Sequence, residues 1–324
     1  MMWGKKTRSA KPGTLICLLN QKHSISRQAK GFWGLILLLL TLVVLIPPRA
    51  WGVQAPGKII VVASIIPLGD FCQNLGRERV QVEVLVPPGA SPHIFEPPPS
   101  VIGTVKQAQV LVYVGAGLDP WVKRLLDSRA PGNLVVVEAV QAIALLSQGD
   151  SHPHEQGNPH VWLDPVLAKS ICQDIAQALI TTDPSHRQYY EANLINYLHR
   201  LEELHKDIKN TVASFSHRQY VCFHPAFTYF AQRYNLQEVG IIETAPGREP
   251  SPRQIRNIID AIHRYKMRAI FAEAQLSPRL AQVIAREAGV QMLLLDPLGG
   301  RPPYGTDYLA LMRYNLSIMA QALR

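Results

Sequence analysis

Four positions stand out, each with a metal-competent side chain beside a proline at a strand end or helix start. His93 stands in Ser91-Pro92-His93-Ile94-Phe95-Glu96-Pro97. His160 stands in Asn158-Pro159-His160-Val161-Trp162-Leu163-Asp164-Pro165. His224 follows Phe223 and precedes Pro225, and Asp296 opens Asp296-Pro297-Leu298-Gly299-Gly300. A proline holds its φ at roughly −65° and stiffens the chain on either side, which suits a loop that must aim a ligand. Three imidazoles and one carboxylate suffice for a four-coordinate zinc site. Taken singly, each histidine is equally a polar loop residue or a hydrogen-bonded core residue. A site gathered from distant loops has no diagnostic spacing. The residues alone therefore lead to a metal site between two lobes and no further.

The remaining polar candidates rank below these four. Glu273 ends a strand pattern and Glu96 adjoins His93. Both are expected as supporting groups, because a ligating imidazole needs an acceptor for its other N–H. His186, His199, His205 and His263 lie on helical patterns, and His23 and His217 lie in polar stretches. Gly115-Ala116-Gly117 resembles a nucleotide-binding turn, but Pro120 occupies the place of its third glycine.

The elements that must position these loops alternate in type. Residues 58–66 read as a buried strand, 68–75 as a helix and 80–86 as a strand. A helix at 101–109, a strand at 110–114, a helix at 121–128 and a strand at 134–137 follow. A second alternating run begins with a strand at 220–223. It continues through a helix at 226–234, a strand at 238–242, a helix at 252–265 and a strand at 269–272. A helix at 279–288, a strand at 291–295 and a helix at 307–323 complete it. Between the two runs lie a helix at 164–180 and a longer one at 186–213. In the longer helix Leu194, Leu198, Leu201, Leu204, Ile208 and Val212 recur every three or four residues. The expected fold is α/β: two lobes, each a mostly parallel sheet flanked by helices, joined by one long linking helix, with a metal cleft between them. The expected boundaries are 1–55, 56–183, 184–214 and 215–324. In such folds the loops at the carboxyl ends of the strands carry the binding groups.

Charge divides the chain in the same way. The 324 residues carry a formal +9. Residues 1–55 hold eight Lys and Arg and no Asp or Glu, so the other 269 residues have 25 basic against 24 acidic side chains. A nucleic-acid-binding body loses its support. Residues 32–46 are an apolar run of 15 that follows a basic stretch and precedes small residues. This pattern reads as a secretory signal peptide, too short to span a bilayer, where about 20 apolar residues are needed. The 31 residues before the run make an unusually long basic region, which suggests a translation start assigned too far upstream. Cys17 precedes the apolar run and no cysteine closely follows it, so a lipid anchor at the mature N-terminus is not expected. Cys72, Cys172 and Cys222 sit among apolar neighbours and read as buried small hydrophobes.

Seven motifs occur in a fixed order along the chain: 63–70 (ASIIPLGD), 87–97 (PPGASPHIFEP), 115–121 (GAGLDPW), 158–165 (NPHVWLDP), 224–236 (HPAFTYFAQRYNL), 249–254 (EPSPRQ) and 296–300 (DPLGG). In these the chain resembles the zinc/manganese-type, cluster A-I, solute-binding proteins of metal ABC importers, and its zinc-binding members most. The resemblance implies metal ligands at His93, His160, His224 and Asp296. It implies a periplasmic monomer that carries Zn2+ to a membrane permease with its ATPase subunit. In this family a carboxylate at the third ligand accompanies manganese and a histidine accompanies zinc, and imidazole suits zinc on chemical grounds. His224 therefore favours zinc over manganese. An exported zinc hydrolase is the rival from another class. It lacks support because four protein ligands close the position a catalytic water needs, and no HExxH or GxSxG occurs. An adhesin or structural surface protein is a further rival, and the chain shows no repeat or surface-retention segment to favour it.

Zinc-binding members often insert a long His- and acid-rich loop where this chain has only Asp150, His152, His154 and Glu155. Deleting residues 151–156 is expected to leave one tight metal site. Loss of a second, weak site in a zinc titration would assign the loop an auxiliary capture role, and an unchanged titration would deny it one.

Overall fold

The computed structural model describes residues 57–127, 132–147, 157–243 and 249–324. The expected signal peptide and the acidic, His-containing loop lie outside these residues.

Each lobe is built on four parallel strands. In the first, β1 (Ile59–Ala63), β2 (Val80–Val84), β3 (Val110–Tyr113) and β4 (Val135–Glu138) stand in the order β2-β1-β3-β4. In the second, β5 (Gln219–Cys222), β6 (Gln237–Ile241), β7 (Ala269–Glu273) and β8 (Gln291–Leu295) repeat that order as β6-β5-β7-β8. Central strands such as β1 and β7 are buried on both faces, which is why they read as unbroken apolar runs. The helices are α1 (Ile66–Gly76), α2 (Ser100–Gln107), α3 (Trp121–Asp127), α4 (Pro165–Thr182), α5 (Arg187–Ala213), α6 (Thr228–Tyr234), α7 (Pro252–Arg264), α8 (Arg279–Ala288) and α9 (Tyr308–Leu323). Local chemistry sets several of their ends. Asp164 caps α4 through Val166 N with Pro165 in the first turn, Ser251 and Gln254 close a reciprocal cap on α7, and Asp307 caps α9 through Ala310 N.

The long helix is α5, 27 residues. Its buried stripe, Tyr190, Asn193, Tyr197, Leu201, Leu204, Ile208 and Val212, packs on α1, α4 and α9. Sequence periodicity marks the aliphatic part of that stripe and misses its polar start. Asn193 Nδ2 donates to Leu75 O at 3.0 Å, and Tyr197 Oη donates to Asp70 Oδ2 at 2.9 Å. The last helix, α9, leaves β8 and returns to pack against α5 and α1, so it touches both lobes. One continuous apolar core accordingly runs from Val61 and Val112 through Leu201 to Phe271 and Met312. A second cluster, with Val221, Ile270 and Ile284, fills the outer face of the second sheet. Cys72, Cys172 and Cys222 are buried free thiols, as the apolar neighbours suggest. Among the described residues no helix is long and apolar enough to cross a membrane.

Asp70 ties three helices together. It lies on α1, accepts from Tyr197 of α5, and is met at 3.4 Å by the backbone N of Tyr308 at the start of α9. Burial raises its carboxyl from 3.8 to about 6, against the lowering effect of Tyr197. An acid raised in the folded state stabilises the fold fully below its unfolded pKa, and that contribution is lost as pH rises through the folded value. Metal-free protein should therefore lose about 2 kcal/mol from this group between about pH 4.5 and pH 7.5. Asp70→Asn should lack that component. Urea unfolding of both proteins at the two pH values checks it, and parallel pH dependences would refute it.

Candidate metal centre

The carboxyl ends of both sheets face one cleft, and three of the four expected ligands meet there. A donor nitrogen from each of His93, His160 and His224 lies within 4.8 Å of the other two. His93 Nε2 is 3.2 Å from His160 Nε2, and the His224 ring centroid is 5.0 Å from that of His93 and 4.7 Å from that of His160. His160 and His224 are buried, and His93 is partly exposed at the mouth.

Each histidine arrives by a different route. His93 sits in the loop after β2, next to Phe95, whose ring meets Trp121 edge-on at 5.4 Å. His224 follows β5 directly, in extended backbone, before the short 3-10 turn Pro225–Phe227. His160 belongs to no strand end. Its segment is fastened instead by side chains from both lobes. Asn158 Nδ2 donates to Pro225 O at 2.8 Å, Tyr229 Oη donates to Asn158 O at 2.8 Å, and Trp162 Nε1 donates to Pro297 O at 2.8 Å. Tyr308 Oη donates to Trp162 O at 2.6 Å, and Arg233 pairs with the cap residue Asp164 at 2.8 Å. The motif around His160 is therefore mostly anchor, with one candidate ligand among its polar groups.

Hydrogen bonds select the tautomers. Asn158 Oδ1 lies 2.8 Å from His160 Nδ1 and also accepts from the His160 backbone N at 2.9 Å. Glu273 Oε1 lies 2.9 Å from His224 Nδ1. Each acceptor draws the ring proton to Nδ1 and leaves Nε2 with its lone pair toward the cleft. Glu273 thus has the supporting place expected of it. Glu96 does not: its carboxylate pairs with Arg124 on the surface of the first lobe.

Asp296 lies next to the cavity wall and is outside the converging group. Its Oδ1 accepts from Leu298 N and Gly299 N, each at 2.9 Å, and from Gln275 Nε2 at 2.6 Å, while its Oδ2 accepts from Tyr304 Oη. The cavity is lined by the three histidines, Glu273, Gln275, Trp162 and Leu298, among others, and encloses about 10 Å³. That is room for one water-sized particle, not for an organic substrate. Gly300, at φ 85°, lets the loop after β8 close on the first lobe. A Cβ there would stand 2.6 Å from Ile66 and 2.8 Å from Pro88.

Gln275 and Asn158 are the functional candidates that residue types alone did not single out. Gln275 lies two positions beyond Glu273, and Asn158 lies two before His160. Polar residues at such offsets from an expected site are the signal that was available. Cys222 lies two before His224, but its buried thiol faces Glu238 Oε1 at 3.6 Å and is outside the converging group. The turn at Gly115 is closed from within: Asp119 accepts from Val114 N at 2.8 Å and Gly115 N at 2.9 Å, occupying amides that a phosphate would need. Two of the other histidines have partners outside the converging group, His186 with Asp183 and His205 of α5 with Tyr234 of α6.

Comparison with known proteins bears on the same cleft. The chain matches the family model described as ZnuA, zinc-uptake complex component A periplasmic, over residues 61–322. It is 28% identical over 281 residues to the high-affinity zinc uptake system protein ZnuA of Bacillus subtilis, covering 82% of this chain and 88% of that one. It is 29% identical over 282 residues to the zinc-binding lipoprotein AdcA of Streptococcus pneumoniae, covering 83% of this chain but only 56% of that longer protein. A crystal structure of ZnuA superposes with a TM-score of 0.74 at 32% identity, covering 82% of this chain and 99% of that one.

The acceptor behind His224 gives a test that needs no knowledge of the natural cargo. Glu273→Ala should weaken Zn2+ binding about 10- to 100-fold, with an unchanged circular dichroism spectrum. Wild-type affinity in a chelator competition would show that the Glu273–His224 contact does not tune a ligand.

Proposed function

The chain belongs to the zinc-uptake complex component A family, and on that premise we propose that it captures one zinc ion outside the cytoplasmic membrane and delivers it to an ABC import permease with its ATPase. The convergence of three imidazole nitrogens within 4.8 Å carries this reading. His93, His160 and His224 are the nitrogen ligands, and the fourth donor is an oxygen of Gln275, which lines the cavity, or of Asp296 next to it. Imidazole-rich, four-coordinate sites suit zinc, whereas manganese favours oxygen-rich, six-coordinate ones. A cavity of about 10 Å³ supports a carrier of bare ions over a hydrolase.

Export of the carrier fits the leader in residues 1–55, which we propose is removed. The two lobes, with residues 184–214 as the link, then work as a periplasmic monomer. A core shared by both lobes opposes a wide hinge motion. Cargo exchange therefore proceeds by local movement of the loop bearing His93, the most exposed of the three histidines. Protons compete with zinc for the imidazoles, so affinity falls as the solution is acidified.

Metal analysis of protein isolated from its native compartment should find one zinc per chain. In competition, zinc should bind about 100-fold or more tightly than manganese. His224→Glu should narrow that gap by replacing an imidazole with a carboxylate. Comparable affinities of the wild-type protein for the two metals would overturn the zinc assignment.

A further inference from the structure

Gln275 lies on the cavity wall with the histidine triad, and its carboxamide reaches Asp296. It lines the same cavity as His93, His160 and His224. Its Nε2 lies 2.6 Å from Asp296 Oδ1. A carboxylate oxygen only accepts, so the nitrogen end of the amide must face Asp296, and the orientation of the group is thereby determined. The other end, Oε1, is buried and has no hydrogen-bond partner. A buried amide oxygen without a partner is costly and calls for an explanation.

Asp296 shows the opposite condition. Its two oxygens already accept from Gln275, Leu298 N, Gly299 N and Tyr304 Oη. Three of these donors meet Oδ1 and one, Tyr304 Oη, meets Oδ2, so Oδ1 is fully used and the carboxylate is held in the orientation its own loop sets. Two of them are backbone amides of its own loop, so turning the carboxylate toward the histidines would orphan both. Gln275 lines the cavity and its Oε1 has no partner, whereas Asp296 is outside the lining and is committed to its own loop.

We propose that Gln275 Oε1 is the fourth, oxygen donor to the zinc ion, and that Asp296 is a positioning residue acting through it. The proposal rests on the reading that His93, His160 and His224 hold the cargo. The hydrogen bond from Nε2 to the carboxylate orients the amide and shifts electron density onto its carbonyl oxygen, strengthening a neutral ligand. The arrangement repeats what stands behind two of the histidines: Asn158 backs His160, Glu273 backs His224, and Asp296 backs Gln275. A neutral fourth donor also disfavours manganese, which gains most from anionic oxygen.

Crystal structures of zinc-loaded wild-type and His160→Ala protein, with zinc and manganese competition titrations of Gln275→Ala, Gln275→Glu and His160→Ala, test this. Oε1 of Gln275 is expected about 2.0–2.2 Å from zinc. Gln275→Ala should lose about 10- to 100-fold in zinc affinity, with unfolding unchanged. Gln275→Glu should raise the affinity for manganese relative to zinc. A fourth position filled by Asp296 or by water, with Oε1 of Gln275 outside bonding distance, overturns the proposal. So does wild-type zinc affinity in Gln275→Ala when His160→Ala has lost the site, and in that case the three-histidine reading survives. Full zinc affinity in His160→Ala overturns that reading and this proposal together.

Discussion

The cleft depends on one short segment, residues 158–164, being fastened to the second lobe while it caps α4 of the first. His160 is not held by a strand of either lobe. It is held because Asn158 reaches Pro225 O, Trp162 reaches Pro297 O, and Tyr229 and Tyr308 donate into the segment from the second lobe. Arg233 neutralises Asp164, which caps α4 of the first lobe. These bonds bring two nitrogens from segments more than sixty residues apart to 3.2 Å. Two imidazole lone pairs at that distance repel unless a proton or a cation lies between them. The folding free energy invested in the segment is thus what prepares the site for a positive ion.

The groups behind the donors do as much as the donors themselves. An imidazole with an unconstrained ring proton spends part of its time with the wrong nitrogen facing the metal. Asn158 and Glu273 remove that freedom at two of the three rings. The same economy explains the crowding around Asp296, whose bonds to Leu298, Gly299 and Tyr304 shape the loop after β8. That loop needs Gly300 in left-handed backbone to lie against Ile66 and Pro88. The glycines of this motif therefore serve the closure between lobes.

Much of this was legible before any coordinates. Apolar runs and three-to-four periodicity place most strands and helices within two residues, because buried parallel strands and amphipathic helices write strong local patterns; the first strand ends three residues sooner than its apolar run, at Ala63, because Ile66 already opens α1. The prolines flanking His93, His160 and His224 mark the ligand loops for a local reason as well. The state of Asp296 was not legible. Whether its oxygens face the metal or their own loop depends on Gln275, in the turn after β7, and on Tyr304, eight residues later. No local pattern encodes such a three-way arrangement. The return of α9 across both lobes was hidden for the same cause, since periodicity reports that a face is buried and not what covers it.

The shared core and the small cavity together describe a carrier that discriminates by donor geometry rather than by engulfing its cargo. Its central claim is a coordination shell dominated by imidazole. Zinc K-edge X-ray absorption of the loaded protein in solution measures that shell directly. The account predicts three imidazole nitrogens at about 2.0–2.1 Å and one oxygen at about 2.0–2.2 Å. A shell of five or six oxygens, or one with a single imidazole, would contradict it.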